Sequence, residues 1–307
     1  FSSGINDQQV LEVLSGLAYW LHDNRPGGTM PQDEWRAQIA ERLTQAEVCP
    51  RQSANALAEE FLDYARGQNG LLMERSAGRI GFFHLTLEEY LAAYFIAHED
   101  ETGRHTILEQ RWMDPYWEEV LLLTAGELQS GERTALNRFL SSLLAVEIPA
   151  PQFEGRPALL AGRMLVDIQS KRPSLNDMTF PQLICAMQDA DNVSRRPNRP
   201  PKVPLKTRAA AGQALDALGW MPPDLDHFVN IPAGGGLQAF WISKYPVTNE
   251  QYRRFLESDD FCDERLWLDF PDFDADCRRI GNTAGQGLQW LKREQERQKR
   301  ERPAPWY

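Results

Sequence analysis

The sequence predicts a mainly α-helical chain that carries one β-hairpin near its start and turns into a short α+β segment near its end. Three observations lead there. Apolar residues recur at helical spacing from Asp7 to Arg66 and again from His98 to about Leu218. Two apolar runs, Leu71–Arg75 and Arg79–Phe83, flank the tight-turn tripeptide Ser76-Ala77-Gly78. After Trp220-Met221-Pro222-Pro223 the pattern changes to short alternating strands followed by a capped helix.

Within the first segment, Val10, Leu11, Val13, Leu14, Leu17, Ala18 and Leu21 form a broad stripe, which Pro26-Gly27-Gly28 breaks. Thr29 to Trp35 reads as a capped helix start, with acids in the first turn where the helix dipole favours them. Ser53 opens a third helix over Ala54–Ala65, and Gly67-Gln68-Asn69-Gly70 stops it. Three helices and then a two-stranded wing is the winged-helix order. Many such folds bind DNA, but the candidate recognition helices carry Glu34, Glu41, Glu59, Glu60 and Asp63, which favours a structural or regulatory role. The next helix starts at the wing, with Thr86 three residues before Glu89 as in a capping box, and Leu87, Tyr90, Leu91, Tyr94 and Phe95 at helical spacing.

The middle reads as irregular helix pairs. One unit runs from Trp112 to Ala125, a later one begins near Thr134, and another spans Pro157 to Ile168. Arg208 to Gly219 has the small residues that let neighbouring helices approach, as in the second helix of a HEAT-type repeat. Ser194 to Lys206 is rich in Pro and Arg and is expected to be an exposed linker. At the far end, Phe228–Gly236 and Phe240–Pro246 read as strands, and Thr248 or Asn249 caps a helix with Tyr252, Phe255 and Leu256 on one face.

Composition narrows the function. With 307 residues there is room for two or three domains at roughly 100–200 residues each. A formal charge of −11 argues against a generic nucleic-acid binder. Cys49, Cys185, Cys262 and Cys277 are far apart with no C-x-x-C pair, which disfavours a metal cage and fits free thiols in a reducing cytoplasm. No segment reaches the ~18 apolar residues of a membrane span. Both ends read as cut, so the chain is expected to be an internal piece of a longer protein.

Two stretches resemble known families. Phe82-Phe83-His84-Leu85-Thr86-Leu87-Glu88-Glu89-Tyr90-Leu91-Ala92-Ala93 resembles the region that closes the winged-helix domain of NACHT-type signalling NTPases, where F-x-H-x-T-(F/L)-x-E-Y-x-A-A follows the wing. Phe228-Val229-Asn230-Ile231-Pro232-Ala233-Gly234 with Phe240 to Tyr252 resembles the opening of the formylglycine-generating-enzyme (sulfatase-modifying factor) domain, a C-type-lectin-like fold. The expected domains are therefore 1–97, a winged helix; 98–222, a HEAT-like arm with a linker near 194–206; and 223–307, an incomplete lectin-like domain.

The first resemblance implies a nucleotide-binding NTPase module in cis, with ATP or ADP as its cofactor. No G-x-x-x-x-G-K-(S/T) occurs here, so that module is expected before Phe1. His22 lacks the motif context for a nucleotide-sensing role, and His84 is expected to hydrogen-bond locally and order the wing–helix join. The second resemblance implies a cysteine pair late in the enzyme's domain; Cys262 and Cys277 do not match it, and no catalytic, cofactor-binding or metal residue is assigned. The acids from Asp259 to Asp276 lack the ordered D-x-D-x-D-G spacing of a calcium loop, so a solvated loop is favoured. Trp267, Phe270 and Phe273 fit core packing or a recognition surface, and Lys292 to Arg302 a solvated run. The motif and interface residues are His84, Glu89, Tyr90, Pro246, Thr248, Asn249 and Tyr252.

Together the resemblances imply the regulatory arm of a bacterial-type STAND/NACHT signalling or defence protein. Ligand binding at the C-terminal module would release an autoinhibited, ADP-bound switch toward an oligomer. The alternatives are a retroelement-diversified ligand-display protein with the same lectin-like fold, and a formylglycine-generating-type oxidase whose catalytic part lies beyond residue 307.

Overall fold

The computed structural model describes residues 5–67, 70–131, 133–169, 173–189 and 201–267, and beyond these 271–273, 278–282, 286–287, 289–290 and 292–293. It is mostly helical, with small antiparallel sheets. Two units separate at residues 221 and 222. Among the described residues no helix is long and apolar enough to cross a membrane.

In the first unit, α1 (Asp7–Asn24) starts where Asn6 and Gln9 cap each other, the Asn6 side chain accepting from the Gln9 amide and Gln9 Oε1 from the Asn6 amide. The chain then forms β1 (Met30–Pro31), α2 (Gln32–Gln45), α3 (Arg51–Gly67), β2 (Leu72–Ser76) and β3 (Arg79–Phe82) before α4 (Leu85–His98). The sheet order is β1-β3-β2, antiparallel throughout. The wing is therefore three-stranded. Thr29 does not cap a helix: Met30 and Pro31 pair with Ile80 and Arg79, and α2 begins after Pro31 without a side-chain cap. The Arg79 guanidinium donates to the Thr29 hydroxyl (3.1 Å) and carbonyl (2.6 Å) instead. The wing turn falls on Ala77-Gly78, where Gly78 takes the left-handed conformation (φ 69°) that L side chains avoid.

These elements close over one interior in which Leu17, Leu21, Trp35, Ile39, Leu43, Phe61, Leu62 and Ile80 are fully buried. Trp35 donates its indole N–H to the Ile80 carbonyl (2.9 Å), which ties α2 to the central strand. The same interior takes in Ile107, Trp117 and Val120, so the winged helix and the first arm helices share a core.

The arm consists of α5 (Glu101–Arg111), a 3-10 turn at Pro115–Trp117, α6 (Glu118–Ser130), α7 (Arg133–Leu144), a second 3-10 turn at Pro151–Phe153, α8 (Arg156–Asp167), α9 (Pro173–Gln188) and α10 (Leu205–Ala217). Leu121, Leu136, Leu140, Leu160 and Met164 fill a second core among α6, α7 and α8. Leu183, Ala211 and Leu215 fill a third where α8, α9 and α10 meet. Small residues set that approach: a Cβ on Gly162 would stand 2.9 Å from Leu183 and 3.3 Å from the Ala214 methyl. Of the basic Pro/Arg stretch, 194–200 lies outside the described residues. Residues 201–204 are not helical, whereas Lys206 belongs to α10, which starts directly after its N-cap residue Pro204.

The second unit contains a hairpin of β4 (Phe228–Ile231) and β5 (Phe240–Ser243), in the register Phe228↔Ser243 to Ile231↔Phe240, then α11 (Asn249–Leu256) and the short α12 (Asp259–Cys262). Further on, β6 (Pro271–Phe273) pairs with β7 (Arg279–Asn282). Thr248 caps α11 in a reciprocal box with Gln251. The side chains of Cys262, Trp267 and Phe273, as well as residues 268–270 (Phe270 among them), 274–277 (Cys277 among them) and most of the run 292–302, lie outside what the structure describes; Asp259 and Asp260 of the acidic run fall in α12.

Substituting Gly81→Ala will destabilise the first unit, because a Cβ there overlaps the Gly28 carbonyl oxygen across the β1–β3 pairing and backbone must move. A loss of about 1–3 kcal/mol in urea unfolding is expected; an unchanged midpoint would show that the approach is loose.

Candidate functional site

The wing–helix join is where the chain concentrates chemistry. Phe82 closes β3 and is buried, whereas the next residue, Phe83, is 58% exposed. Arg75 from β2 holds the turn by donating to the Phe82 (2.8 Å) and Phe83 (2.5 Å) carbonyls. His84 then takes an extended conformation and caps α4, its Nδ1 lying 3.3 Å from the Thr86 amide and 2.7 Å from the Thr86 hydroxyl. The cap is thus the imidazole and not Thr86, which sits inside the first turn. Glu89 closes no capping box; it is buried. Leu85 (48%) and Tyr90 (41%) are exposed, and the nearby Glu127 on α6 raises the Tyr90 phenol above its usual range. His84, Glu89 and Tyr90 thus share one corner of the first unit.

Directly beneath lies a node that the motif did not reveal. His22 (1% exposed), in the last turn of α1, faces Glu88 (2%) in the first turn of α4. Its Nδ1 is 3.1 Å from Glu88 Oε1, and its Nε2 is 3.2 Å from the Tyr116 carbonyl. The ring stacks on Tyr116 (4.0 Å between centroids, 6° between planes) and meets Trp117 edge-on. A carbonyl oxygen only accepts, so Nε2 carries a hydrogen, and a second hydrogen is shared between Nδ1 and the Glu88 carboxyl. Through its two ring nitrogens the imidazole thereby joins α1, α4 and the first turn of the arm. The ion pair of Arg111 with Asp23, with the guanidinium 5.1 Å from the Trp117 ring centre, brackets the node from α5.

Electrostatics around the join are those of crowded, desolvated acids. Burial, then the charge of Glu119, raises the Glu89 carboxyl above the usual range, with His22 and His84 acting the other way. Burial and the carboxylates of Glu88, Glu89 and Asp114 push the Tyr116 phenol up to about 12. On α2 and α3, Glu34 pairs with Arg25 (2.5 Å) and Glu59 with Arg36 (2.7 Å), so these acids sit in surface ion pairs.

The C-terminal candidates occupy the other unit. Pro246 and Asn249 are exposed, while Thr248 and Tyr252 are half-buried. Gln251 Nε2 donates to the Leu225 carbonyl and to Asp226, each at 3.1 Å, and Arg254 makes a two-pronged contact with the Asp226 carboxylate. Lys244 and the Tyr245 hydroxyl both bond Asp224. These contacts fasten the 224–226 turn to the β5–α11 corner. Among the described residues, no three His, Cys, Asp or Glu side chains converge on a metal position.

Removing half of the buried pair leaves the other polar group without its partner. His22→Ala and Glu88→Ala are each expected to cost about 3–5 kcal/mol, and the double variant clearly less than their sum, in a double-mutant cycle read by denaturant unfolding. For Glu89 the raised folded-state value means that the native form binds its proton more tightly than the unfolded chain does. Its contribution is therefore favourable below the ordinary carboxylate range and is lost as pH rises through the folded value. Glu89→Gln should raise Tm at pH 7 and give little gain near pH 4.

A family described as the winged helix-turn-helix domain C-terminal to NACHT matches residues 4–96. No curated protein and no solved structure matches the chain. The matched span takes in α1 to α3, the wing, α4 as far as Ile96 and all but the arm's part of the buried node, which supports a NACHT-associated winged helix over these residues.

Proposed function

We propose that the chain is the regulatory arm of a NACHT-type signalling protein of the cytoplasm. In this reading the winged helix packs on a nucleotide-binding module, stabilises its ADP-bound closed state, and passes force to and from the helical arm. The observation that carries it is the NACHT-associated winged helix, whose wing–helix join leaves Phe83, Leu85 and Tyr90 exposed within eight residues of one another around His84. Apolar side chains kept at the surface beside a rigid cap suit a surface that another module covers. The shared core of the winged helix and α5–α6 supports mechanical coupling, because a shift of α4 must move Trp117 and the arm with it.

The second unit is the ligand-sensing module in this proposal, with a lectin-like domain of the formylglycine-generating type opening at Phe228. Its support is the hairpin-and-capped-helix arrangement of β4, β5 and α11, together with exposed Phe240, Trp241 and Ile242. A protein or small-molecule ligand would favour the open, oligomerising state only by binding it more tightly than the closed state. Sensing of an invader or stress molecule is the biological role proposed.

The test begins with the reading frame upstream of Phe1, which should encode a G-x-x-x-x-G-K-(S/T) loop; a frame without any nucleotide-binding module would sink the proposal. In the full-length protein, Leu85→Asp and Tyr90→Asp should speed ADP release by about tenfold, a loss of roughly 1.4 kcal/mol of closed-state contact. Unchanged release from both would remove the join from the switch.

A further inference from the structure

A concave site lies on another face of α1 from the buried histidine. Glu12, Val13, Gly16, Tyr19 and Trp20 of α1, with Arg42 of α2 and Phe95 of α4, enclose most of a pocket of about 380 Å³. Gly16 forms its floor because Arg42 lies directly on it: a Cβ there would be 3.3 Å from Arg42 Nε and 3.4 Å from Cδ. The walls are aromatic. Tyr19 stacks on Phe95 with 4.7 Å between ring centres, and the Arg42 guanidinium carbon is 6.0 Å from the Trp20 ring centre.

Arg42 is the anomaly. Arg25 and Arg36 each pair with a glutamate, yet the guanidinium of Arg42 is held only through Nη1, by the Gln38 carbonyl (3.0 Å) and side-chain oxygen (2.7 Å). Both partners are neutral. The nearest acid in sequence, Glu41, accepts from Gln45 (3.2 Å) and acts on Arg42 only through its charge, without a hydrogen bond to it. Burial pulls the Arg42 guanidinium below the usual arginine range, so the cation is partly desolvated without a counter-charge in contact. An arginine fork in that condition is a ready partner for a planar carboxylate. Two glutamates in the lining, Glu12 and Glu99, limit what can enter. They repel polyanions such as nucleotides and tolerate an ammonium group.

We propose that this pocket binds a small aromatic molecule with a single carboxylate, of the aromatic amino-acid type. The carboxylate lies on Arg42, the ring lies among Trp20, Tyr19 and Phe95, and any ammonium faces Glu12 and Glu99. Apolar walls with one placed charge are the usual make-up of a small-molecule site. A ligand there would touch α1, α2 and α4 at once.

The test is a titration of the whole 307-residue chain, 15N-labelled, with L-phenylalanine, phenylacetate, 2-phenylethanol and ATP as probes. The Trp20 indole resonance, assigned with Trp20→Phe, is the readout. Saturable shifts with L-phenylalanine or phenylacetate, and none with ATP, are expected. Arg42→Gln should weaken binding by about tenfold or more while leaving the unfolding midpoint close to that of the parent chain. Should Arg42→Gln fail to fold, Gln45→Glu places a negative charge on the exposed rim and is expected to weaken binding severalfold. The proposal is overturned if neither carboxylate probe saturates by about 10 mM, near the weak end expected for ligands of this size. It is equally overturned if 2-phenylethanol binds as well as phenylacetate, or if the folded variants bind like the parent.

Discussion

The first unit depends on the packing of α1 against α4, two helices separated by the entire wing. Leu14, Leu17, Ala18 and Leu21 supply the apolar contact from one side, and Leu91, Ala92 and Ile96 supply it from the other. Apolar packing is not directional and would tolerate a slip along the helix axes. The His22–Glu88 pair removes that freedom, since a buried charge-sharing contact forms in a single geometry and is costly to break. The Tyr116 carbonyl on the second ring nitrogen extends the same constraint to the arm.

That arrangement explains why the winged helix and the arm are not independent bodies. Trp117 sits in the winged-helix interior beneath the histidine, and the chain leaves it directly as α6, whose own buried residues start the second core. Glu118, the first residue of α6, receives Arg156 and Arg163 from α8, so the constraint is handed on one helix further. A displacement at the wing–helix join therefore has a continuous, stiff route into the arm.

The second unit is built on different terms. Among its described residues Leu225 and Phe261 are buried, and its corner is fastened by charged hydrogen bonds at Asp224 and Asp226. Exposed pairs of this kind contribute little to stability. Both faces of the β4–β5 hairpin carry exposed apolar side chains, with Val229 and Ile242 on one and Phe228 and Trp241 on the other.

Local rules make much of this architecture legible in the amino-acid order. The stripe from Val10 to Leu21, the breaker at Pro26 and the turn at Gly78 are all set within a few residues, so sequence alone determines that helix and the β2–β3 hairpin; for α11 it offers Thr248 or Asn249 as the cap, and the structure selects Thr248. The run from Phe82 to Ala93 likewise identifies the join. The sequence does not mark β1, because a two-residue strand has no period and exists only through its pairing with β3. Residue spacing also assigns the cap of α4 to Thr86 and Glu89, which His84 pre-empts by presenting its own acceptor to the Thr86 amide. The one hint of the buried node is a histidine continuing the apolar stripe of α1 one residue past Leu21. Its partner stands 66 residues on, and its stacking ring 94. Only tertiary structure could bring them together, because it is the folding back of α4 over α1 that excludes water from His22 and Glu88 and turns two ordinary surface residue types into a single buried contact.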